Sequence, residues 1–233
     1  MARRLVGFIF FYLLSVGNLA FAADEQVPVA ILNDSVFTEV WRAIIEEAGI
    51  QAEFHTFPHD QARPAFVEGK VGLDCCSIPE WRSRDDERQV QIYTDPIFLE
   101  SNHMIVRDGH TYDVPVTGEL SGYRVAVVKG FTYEREELFG ETIEAKTIGG
   151  AFDLVVSGKA DLVFALRLEF VRSQRRNPRP LALGPIWSRA LLRARVHRDW
   201  VRLLPKVNEA IQELKSSGQI NYLVGKQIRD KAN

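Results

Sequence analysis

Three things are scarce in this sequence: cysteine, an excess of charge of one sign, and long apolar runs beyond the first residues. The 233 residues include two cysteines, and because these are neighbours, Cys75 and Cys76, they cannot tie distant segments together as a disulfide framework does. The formal net charge of −2 gives no basic footprint for nucleic acid. Beyond the N-terminus, no apolar run approaches the length of a membrane span.

The Cys75-Cys76 pair allows three interpretations. Two buried free thiols are the simplest, since free cysteine is among the most buried residue types. A disulfide between the two neighbours and pairing with another molecule stay open, because an oxidising compartment favours both.

The N-terminus has the pattern of a signal peptide. Arg3 and Arg4 form a basic start, the segment 5–16 is almost wholly apolar, and Ala20-Phe21-Ala22 places small residues where a signal peptidase reads. We therefore predict a signal peptide over residues 1–22 and export of the mature chain to the periplasm. Because the segment holds two arginines and no acid, its removal would lower the net charge from −2 to −4.

The mature chain begins with the pattern of a β-α-β-α-β unit. The predicted strands cover residues 27–32, 51–57 and 71–76, and the predicted helices cover residues 36–48 and 63–68. This succession is typical of a parallel sheet that is covered by helices.

A second unit follows the turn at Asp108-Gly109-His110. Its predicted strands cover residues 125–128, 143–148 and 162–165. Its predicted helices follow them one by one and cover residues 133–139, 151–157 and 169–176. An extended segment over 186–196 then returns the chain to the first unit, and two helices end it. The sequence predicts an α/β fold of two lobes, each a helix-flanked and mostly parallel sheet, with two hinge crossings. Lobe 1 would span 23–108 and 191–233, and lobe 2 would span 109–190.

The turn after strand 125–128 is the sharpest local signal. Gly130 ends the apolar run and acidic residues follow, which predicts a tight turn and the N-terminus of a helix. Unpaired N–H groups at a helix start favour anions, and Thr132 adds a hydroxyl donor. The segment is either an anion-binding turn or a plain connection, and Lys129 either adds positive potential there or points to solvent.

Four segments then form a pattern: 69–74 (GKVGLD), 120–133 (LSGYRVAVVKGFTY), 150–161 ending in GKAD, and 208–220 (NEAIQELKSSGQI). In this order and at these separations they resemble the bacterial solute-binding proteins of the polar amino acid family. The resemblance covers most of the mature chain and implies the type II periplasmic binding fold.

The resemblance also implies a site for a small carboxylate between the lobes. Residues 77–82 are similar to the family's S-I-T-x-x-R segment, whose Ser and Arg hold the ligand carboxylate, so Ser77 and Arg82 take those roles. Gly130, Phe131 and Thr132 match the second-lobe turn that grips the same carboxylate. Since Phe131 replaces a small polar residue there, its contact would come from its backbone N–H.

Cys75, Trp81 and Arg88 complete the candidate ligand-binding residues. Arg88 competes with Arg82 as the carboxylate anchor, because many family members place the binding arginine shortly before an extended segment, and 93–96 is such a segment. We favour Arg82, since its spacing from Ser77 agrees with the family pattern.

Two departures from the family pattern narrow the ligand. Leu166 occupies the position at which the family commonly has an aspartate that pairs with a substrate ammonium. An α-amino group would lack that partner here, which favours a carboxylate without an ordinary amino group. The segment 33–37 is also shorter than its counterpart, so Trp81 or Phe37 would replace the usual aromatic shelf.

We therefore predict a periplasmic, monomeric, non-enzymatic protein that closes two lobes around a small carboxylate. The family implies an ABC-type membrane permease as its partner and no cofactor. No metal site is indicated, because the five histidines are scattered without the spacing of metal ligands.

Two alternatives stay open. A dehydratase-like enzyme on the same scaffold would need an acid or base in the cleft, and the candidates are Glu100, Glu169 and a Cys75 thiolate. A sensory module would dock on a receptor through a run of basic residues. If the protein is not such a module, the same run is a solvated helix face. That run consists of Arg172, Arg175, Arg176 and Arg179.

Overall fold

The computed structural model describes residues 26–33, 35–110 and 118–229, with side chains described through Lys226. The proposed signal peptide, residues 1–22, lies outside the described residues. Within the described part of the chain, no helix has both the length and the apolar character that crossing a bilayer requires.

The described residues form nine strands and seven α-helices. The strands are β1 (Val27–Leu32), β2 (Ala52–Phe57), β3 (Leu73–Ser77), β4 (Gln91–Tyr93), β5 (Phe98–Arg107), β6 (Leu120–Val128), β7 (Phe139–Ala145), β8 (Leu162–Leu166) and β9 (Leu181–His197). The helices are α1 (Thr38–Glu47), α2 (His59–Val67), α3 (Asp85–Val90), α4 (Ile148–Val156), α5 (Arg167–Arg176), α6 (Leu204–Ser216) and α7 (Gln219–Arg229). Short 3₁₀ turns cover Pro79–Arg82, Glu136–Leu138 and Arg198–Leu203.

The strands follow the order β2-β1-β3-β9-β5-β8-β6-β7, with β4 also paired to β9. β1 is parallel to β2 and β3, and β6 is parallel to β7 and β8, so each lobe contains the predicted parallel unit. β5 and β9 are the crossing strands and pair with each other antiparallel. Because β5 pairs with β8 from Asn102 onward, this strand already belongs to the second sheet, ahead of the proposed boundary at 108.

Each lobe has its own apolar core. In lobe 1, α1 packs its stripe, including Trp41 and Ile44, against β1 and against the C-terminal helices α6 and α7. In lobe 2, α4 packs Phe152 and Val155 against the parallel strands. The return of α6 and α7 to lobe 1 follows from their amphipathic pattern, because the apolar face of α6 fills the lobe 1 core.

The helix predicted over 133–139 is wrong. The chain forms only the 3₁₀ turn Glu136–Leu138, and β7 begins at Phe139. Arg135 has a left-handed backbone, with φ of 57°, which stops an α-helix from forming across this point. The Tyr133 hydroxyl also accepts a hydrogen bond from the Val128 N–H at 2.8 Å, and Phe139 stacks on Phe164. Aromatic packing therefore overrides the helix preference of the acidic residues.

The interpretation of Cys75 and Cys76 as free thiols is also wrong, because the two residues form a vicinal disulfide. The ladder between β3 and β9 shifts register between Cys75 and Ser77, which leaves Cys76 as an extra residue in the strand. In a regular strand, neighbouring side chains point to opposite faces. This irregularity lets the two neighbouring sulfurs meet.

Candidate functional site

A cavity of about 270 Å³ lies between the two lobes. Its lobe 1 wall comes from the end of β1, the start of α1, the Cys76 side of β3 and the 3₁₀ turn Pro79–Arg82. Its lobe 2 wall comes from the turn after β6, the start of α4, the end of β8 and one face of α5. The parallel strands thus end at this cavity, as is usual for ligand sites in α/β folds.

Arg82 presents a cation to this cavity. Its Nη1 donates to the Trp81 carbonyl at 3.0 Å, and its buried Nε has no hydrogen-bond partner among the described residues. Burial and, to a smaller extent, the positive charges of Arg195 and Arg63 together lower the pKa of Arg82 to about 10. An anion in the cavity would pair with the positive charge of this guanidinium.

A network of buried charges lies behind Arg82. Arg195 pairs with Asp74 and with Glu87, whose Oε1 lies 3.3 Å from Nη1, and Arg63 pairs with the other Glu87 oxygen at 2.6 Å. Burial opposes ionisation of Glu87, but the hydrogen bonds and charge of Arg63 and the charge of Arg195 hold its pKa below the usual value. With Arg82, the network holds three cations against two carboxylates. The first lobe therefore carries one uncompensated positive charge at the cavity.

The turn after β6 packs directly on α2 of the first lobe. Arg63 donates to the Thr132 hydroxyl at 2.7 Å and to the Gly130 carbonyl at 3.5 Å. Gly130 has a φ of 84°, and a Cβ built on it would lie 2.6 Å from the Asp60 Cα. Lys129 pairs with Asp60 at 3.4 Å, so it contacts the opposite lobe. The two lobes meet here through residues that lie far apart in the sequence.

Thr132 lines the cavity, as predicted for a residue that grips the ligand. Because arginine only donates, the Thr132 oxygen accepts from Arg63 and its own O–H can still donate to a ligand. The backbone N–H of Phe131 donates to the Val128 carbonyl at 3.0 Å, so the expected ligand contact through this N–H is wrong. The Phe131 ring lines the cavity instead and meets His59 edge-on.

The other candidates of the first lobe lie at different depths. Trp81 and Phe37 both line the cavity, where either can act as an aromatic shelf, and Trp81 donates to Glu134 across the lobes at 3.3 Å. Cys75 and Ser77 lie beneath this surface and line a second, water-sized cavity that also contacts Arg82. Since Cys75 is bonded to Cys76, it offers no thiolate.

Arg88 lies away from both cavities. It is exposed on α3 and pairs with Asp85 three residues earlier. The structure therefore brings Arg82, Trp81, Phe131 and Thr132 together around one space and leaves Arg88 outside it.

The end of β8 supplies the acid of the cavity. Leu166 lines the wall, and Glu169 follows it on α5, where its Oε2 accepts from the Leu166 N–H at 3.1 Å. Burial and, to a smaller extent, the nearby charge of Glu100 raise the pKa of Glu169 to about 7, although the hydrogen bond from the Leu166 N–H opposes this. Of the two carboxylates considered as catalytic groups, Glu169 lines the cavity and Glu100 does not.

The basic run is a solvated helix face only in part, because Arg175 and Arg176 are exposed whereas Arg172 and Arg179 are half-buried. Arg172 and Arg176 on α5, and Arg179 after it, line the cavity, whereas Arg175 is exposed outside it. Glu169, Arg172, Ser173 and Arg176 are spaced i, i+3, i+4, i+7, which places them on one face of the helix. That spacing is the signal in the sequence that marks this polar stripe.

The sequence matches the family model of bacterial extracellular solute-binding proteins, family 3, over residues 36–229. No curated protein matches the sequence.

Several solved structures share the fold. An amino acid ABC transporter substrate-binding protein from Streptococcus pneumoniae bound to L-arginine is 20% identical, with a TM-score of 0.71 over 88% of this chain and 94% of that one. The GluR0 ligand-binding core from Nostoc punctiforme in complex with L-glutamate is 20% identical, with a TM-score of 0.70 over 88% of this chain and 99% of that one. A histidine kinase sensor domain is 16% identical, with a TM-score of 0.69 over 89% of this chain and 98% of that one.

At these identities the similar structures show the fold, and their ligands differ from one to the next. The family match is broader evidence, because it covers both lobes and the C-terminal return. It agrees with the two parallel units, the paired crossing strands and the cavity between the lobes. The chain belongs to the bacterial extracellular solute-binding proteins of family 3.

Proposed function

We propose that the mature protein binds a small carboxylate-bearing solute between its lobes and passes it unchanged to an ABC-type permease. The ligand carboxylate would bind Arg82 from lobe 1 and the Thr132 hydroxyl from lobe 2. Both groups line the same cavity, and they belong to different lobes, so ligand binding would stabilise the closed arrangement.

The observation that carries this proposal is the state of Arg82. Its side chain lines the cavity, and together with the two arginines and two carboxylates behind it the network carries one excess positive charge. A carboxylate in the cavity would balance this charge through a charge-assisted hydrogen bond to the guanidinium. Arg88 has no comparable need, since Asp85 already pairs with it.

Export and partnership complete the proposal. The basic start, apolar segment and Ala20-Phe21-Ala22 support cleavage of a signal peptide and a periplasmic location. The similar protein from Streptococcus pneumoniae is the substrate-binding protein of an amino acid ABC transporter, which supports a permease as the partner. The cavity offers no Cys75 thiolate, which weakens one route to enzymatic turnover.

The test is ligand screening of the mature protein by thermal shift, followed by calorimetric titration of each hit. The screen should contain monocarboxylates, dicarboxylates, aromatic carboxylates and amino acids, since a ligand that binds the folded state raises its melting temperature. We expect Arg82→Gln to weaken the tightest acid by about 10- to 100-fold, as loss of a charge-assisted hydrogen bond predicts.

Arg88→Gln is the matched control, because it removes an arginine of the same segment that lies outside the cavity. It should leave the affinity unchanged. If both variants lose the same affinity, or if Arg82→Gln loses none, Arg82 is not the ligand anchor. Mass spectrometry of the ligand recovered after binding should show the same compound. Conversion of the ligand to a product would mean that the protein is an enzyme and not a binding protein.

A further inference from the structure

Asn102 brings an amide to the cavity that the proposed carboxylate contact does not use. It lies within β5, one of the two crossing strands, and lines the space between the lobes. Its exposed fraction is 6%, and its side chain forms no hydrogen bond with any other described residue. Because a buried amide without a hydrogen bond costs free energy, we expect this side chain to find its partner inside the cavity.

The next residue of β5 shows how a buried polar group is satisfied by the fold itself. His103 is 8% exposed, and its Nε2 and Nδ1 each lie 2.9 Å from a partner, the Ser101 hydroxyl and the Gly184 carbonyl. Asparagine is depleted in strands, because its side chain competes for the hydrogen bonds of the backbone. Hydrogen bonding within the described part of the chain therefore gives no structural reason for an amide at position 102.

The register of the sheet places this amide at the end of β8. Asn102 is the antiparallel partner of Leu166, and directly opposite residues point their side chains to the same face of a sheet. Since Leu166 lines the cavity, the amide lies beside it on the cavity side. Glu169 is the one acid among the described residues of the lining, and its Oε2 already accepts the Leu166 N–H. With a pKa of about 7, about half of its carboxyl groups are neutral at pH 7.

We infer that Asn102 binds a hydroxyl group of the ligand, so that the ligand is a hydroxycarboxylate. Its carboxylate binds Arg82 and its hydroxyl binds the amide of Asn102. Because both residues line one cavity of about 270 Å³, a single small molecule can contact both. The inference rests on the proposed function and names the class of ligand for the same cavity.

The chemistry of the amide selects the hydroxyl. A hydroxyl is the smallest group that can bond to either end of an amide, because it both donates and accepts. An ammonium only donates, so it could use the amide oxygen alone. An acid without the hydroxyl would leave the buried amide unpaired, and a site that is built to bond a hydroxyl rejects such an analogue.

The test is calorimetric titration of the mature protein with matched sets of acids. Each set holds a hydroxy acid, the parent acid without the hydroxyl, and the amino acid with an ammonium in its place. The sets are lactate with propionate and alanine, malate with succinate and aspartate, and 3-phenyllactate with 3-phenylpropionate and phenylalanine. We expect one hydroxy acid to bind about 10- to 100-fold more tightly than its parent, as a hydrogen bond to a buried group predicts. It should also bind more tightly than its amino acid.

Variants at position 102 assign the hydroxyl contact. Asn102→Leu removes the amide and keeps the branching of the side chain, so it should bind the hydroxy acid and its parent equally. Asn102→Asp places a negative charge at the same point and should shift the preference toward the amino acid of the set, which a purely structural role would not produce. Asn221→Leu is the matched control, because Asn221 is exposed on α7 outside the cavity. It should keep the preference for the hydroxy acid.

Thermal unfolding without any acid separates a binding role of Asn102 from a structural one. Because the amide forms no hydrogen bond within the described fold, Asn102→Leu should melt at the same temperature as the unchanged protein or at a higher one. A clearly lower melting temperature in both Asn102→Leu and Asn102→Ala would mean that the fold needs the amide, and it would overturn the inference.

The binding outcomes distinguish this inference from the proposed function. If hydroxy acids and their parents bind equally and Arg82→Gln weakens both, the hydroxyl contact is wrong and the carboxylate anchor stands. If the amino acid binds most tightly in each set, the neutral group is wrong. If no member of these sets binds, the inference is wrong, whereas the wider carboxylate screen still decides the proposed function.

Discussion

The two walls of the cavity hold their charges in different ways. Behind the lobe 1 wall, Arg195 and Glu87 are fully buried and fixed by each other. On the lobe 2 wall, the arginines of α5 lie on the face of a helix, and Arg176 is exposed at its end. One wall is therefore a rigid cationic surface, whereas the other carries long side chains that can adjust to a ligand.

This difference indicates how the site is divided. A preorganised cation loses little freedom when a ligand binds, so the first lobe is suited to hold the group that every ligand shares. Side chains on a helix face can reach ligands of different lengths, so the second lobe is suited to select among them. The lobe contact through Arg63 and Thr132 connects the buried network of lobe 1 to the turn after β6 in lobe 2.

The largest expected effect comes from breaking the buried network. Glu87→Gln would leave Arg63, Arg82 and Arg195 facing Asp74 alone, and loss of one partner from a buried pair costs about 3 to 5 kcal/mol. Urea unfolding should show this loss in the free energy of unfolding. Asp161→Asn is the control in lobe 2, because its partner Arg124 is 40% exposed and such pairs contribute about 1 kcal/mol or less. Equal losses of unfolding free energy in the two variants would mean that the ion pairs of the two lobes contribute equally to stability.

The next effect concerns the lobe contact. Gly130→Ala would place a Cβ 2.6 Å from the Asp60 Cα, so the lobes must separate at this point. We expect a larger radius of gyration by small-angle X-ray scattering and weaker ligand binding. Gly109→Ala is the control, because Gly109 also has a positive φ, of 74°, but nothing lies within 4 Å of its added Cβ. An unchanged radius in Gly130→Ala would show that the lobes do not meet through this turn.

The smallest effect is a pH dependence from the lobe 2 wall. The pKa of Glu169 rises from an ordinary 4.5 to about 7, since burial and the charge of Glu100 raise it more than the hydrogen bond from the Leu166 N–H and the charge of Arg172 lower it. Between these values the unfolded chain releases the proton first, so stability falls as pH rises, by about 1 to 3 kcal/mol. Thermal unfolding from pH 4.5 to 8 should show this fall, and Glu169→Gln should flatten it. Identical slopes in the two proteins would place the titrating group elsewhere.

Much of the fold could be predicted from the sequence, because local patterns determine it. The apolar stripe of α1, the β-branched run of β6 and the amphipathic α6 each indicate their element without reference to the rest of the chain. The turn after Val128 shows where this fails. Its acidic residues favour a helix, but the left-handed Arg135 and the packing of Tyr133 and Phe139 determine the structure.

The candidate site could be predicted only in part. The spacing from Ser77 to Arg82 points to the arginine that lines the cavity, and the turn contributes Phe131 and Thr132. The partners of Arg63 lie 24 and 69 residues away, and no local pattern connects residues so far apart. The disulfide lies at a register shift of β3, and that shift is visible only in the pairing with the distant β9.

A crystal structure of the mature protein with the tightest acid of the titration series tests the central claim most directly. It should place a carboxylate oxygen about 3 Å from a terminal guanidinium nitrogen of Arg82, the distance of a charge-assisted hydrogen bond. A carboxylate bound elsewhere in the cavity, with no contact to Arg82, would contradict the assignment of this arginine as the ligand anchor.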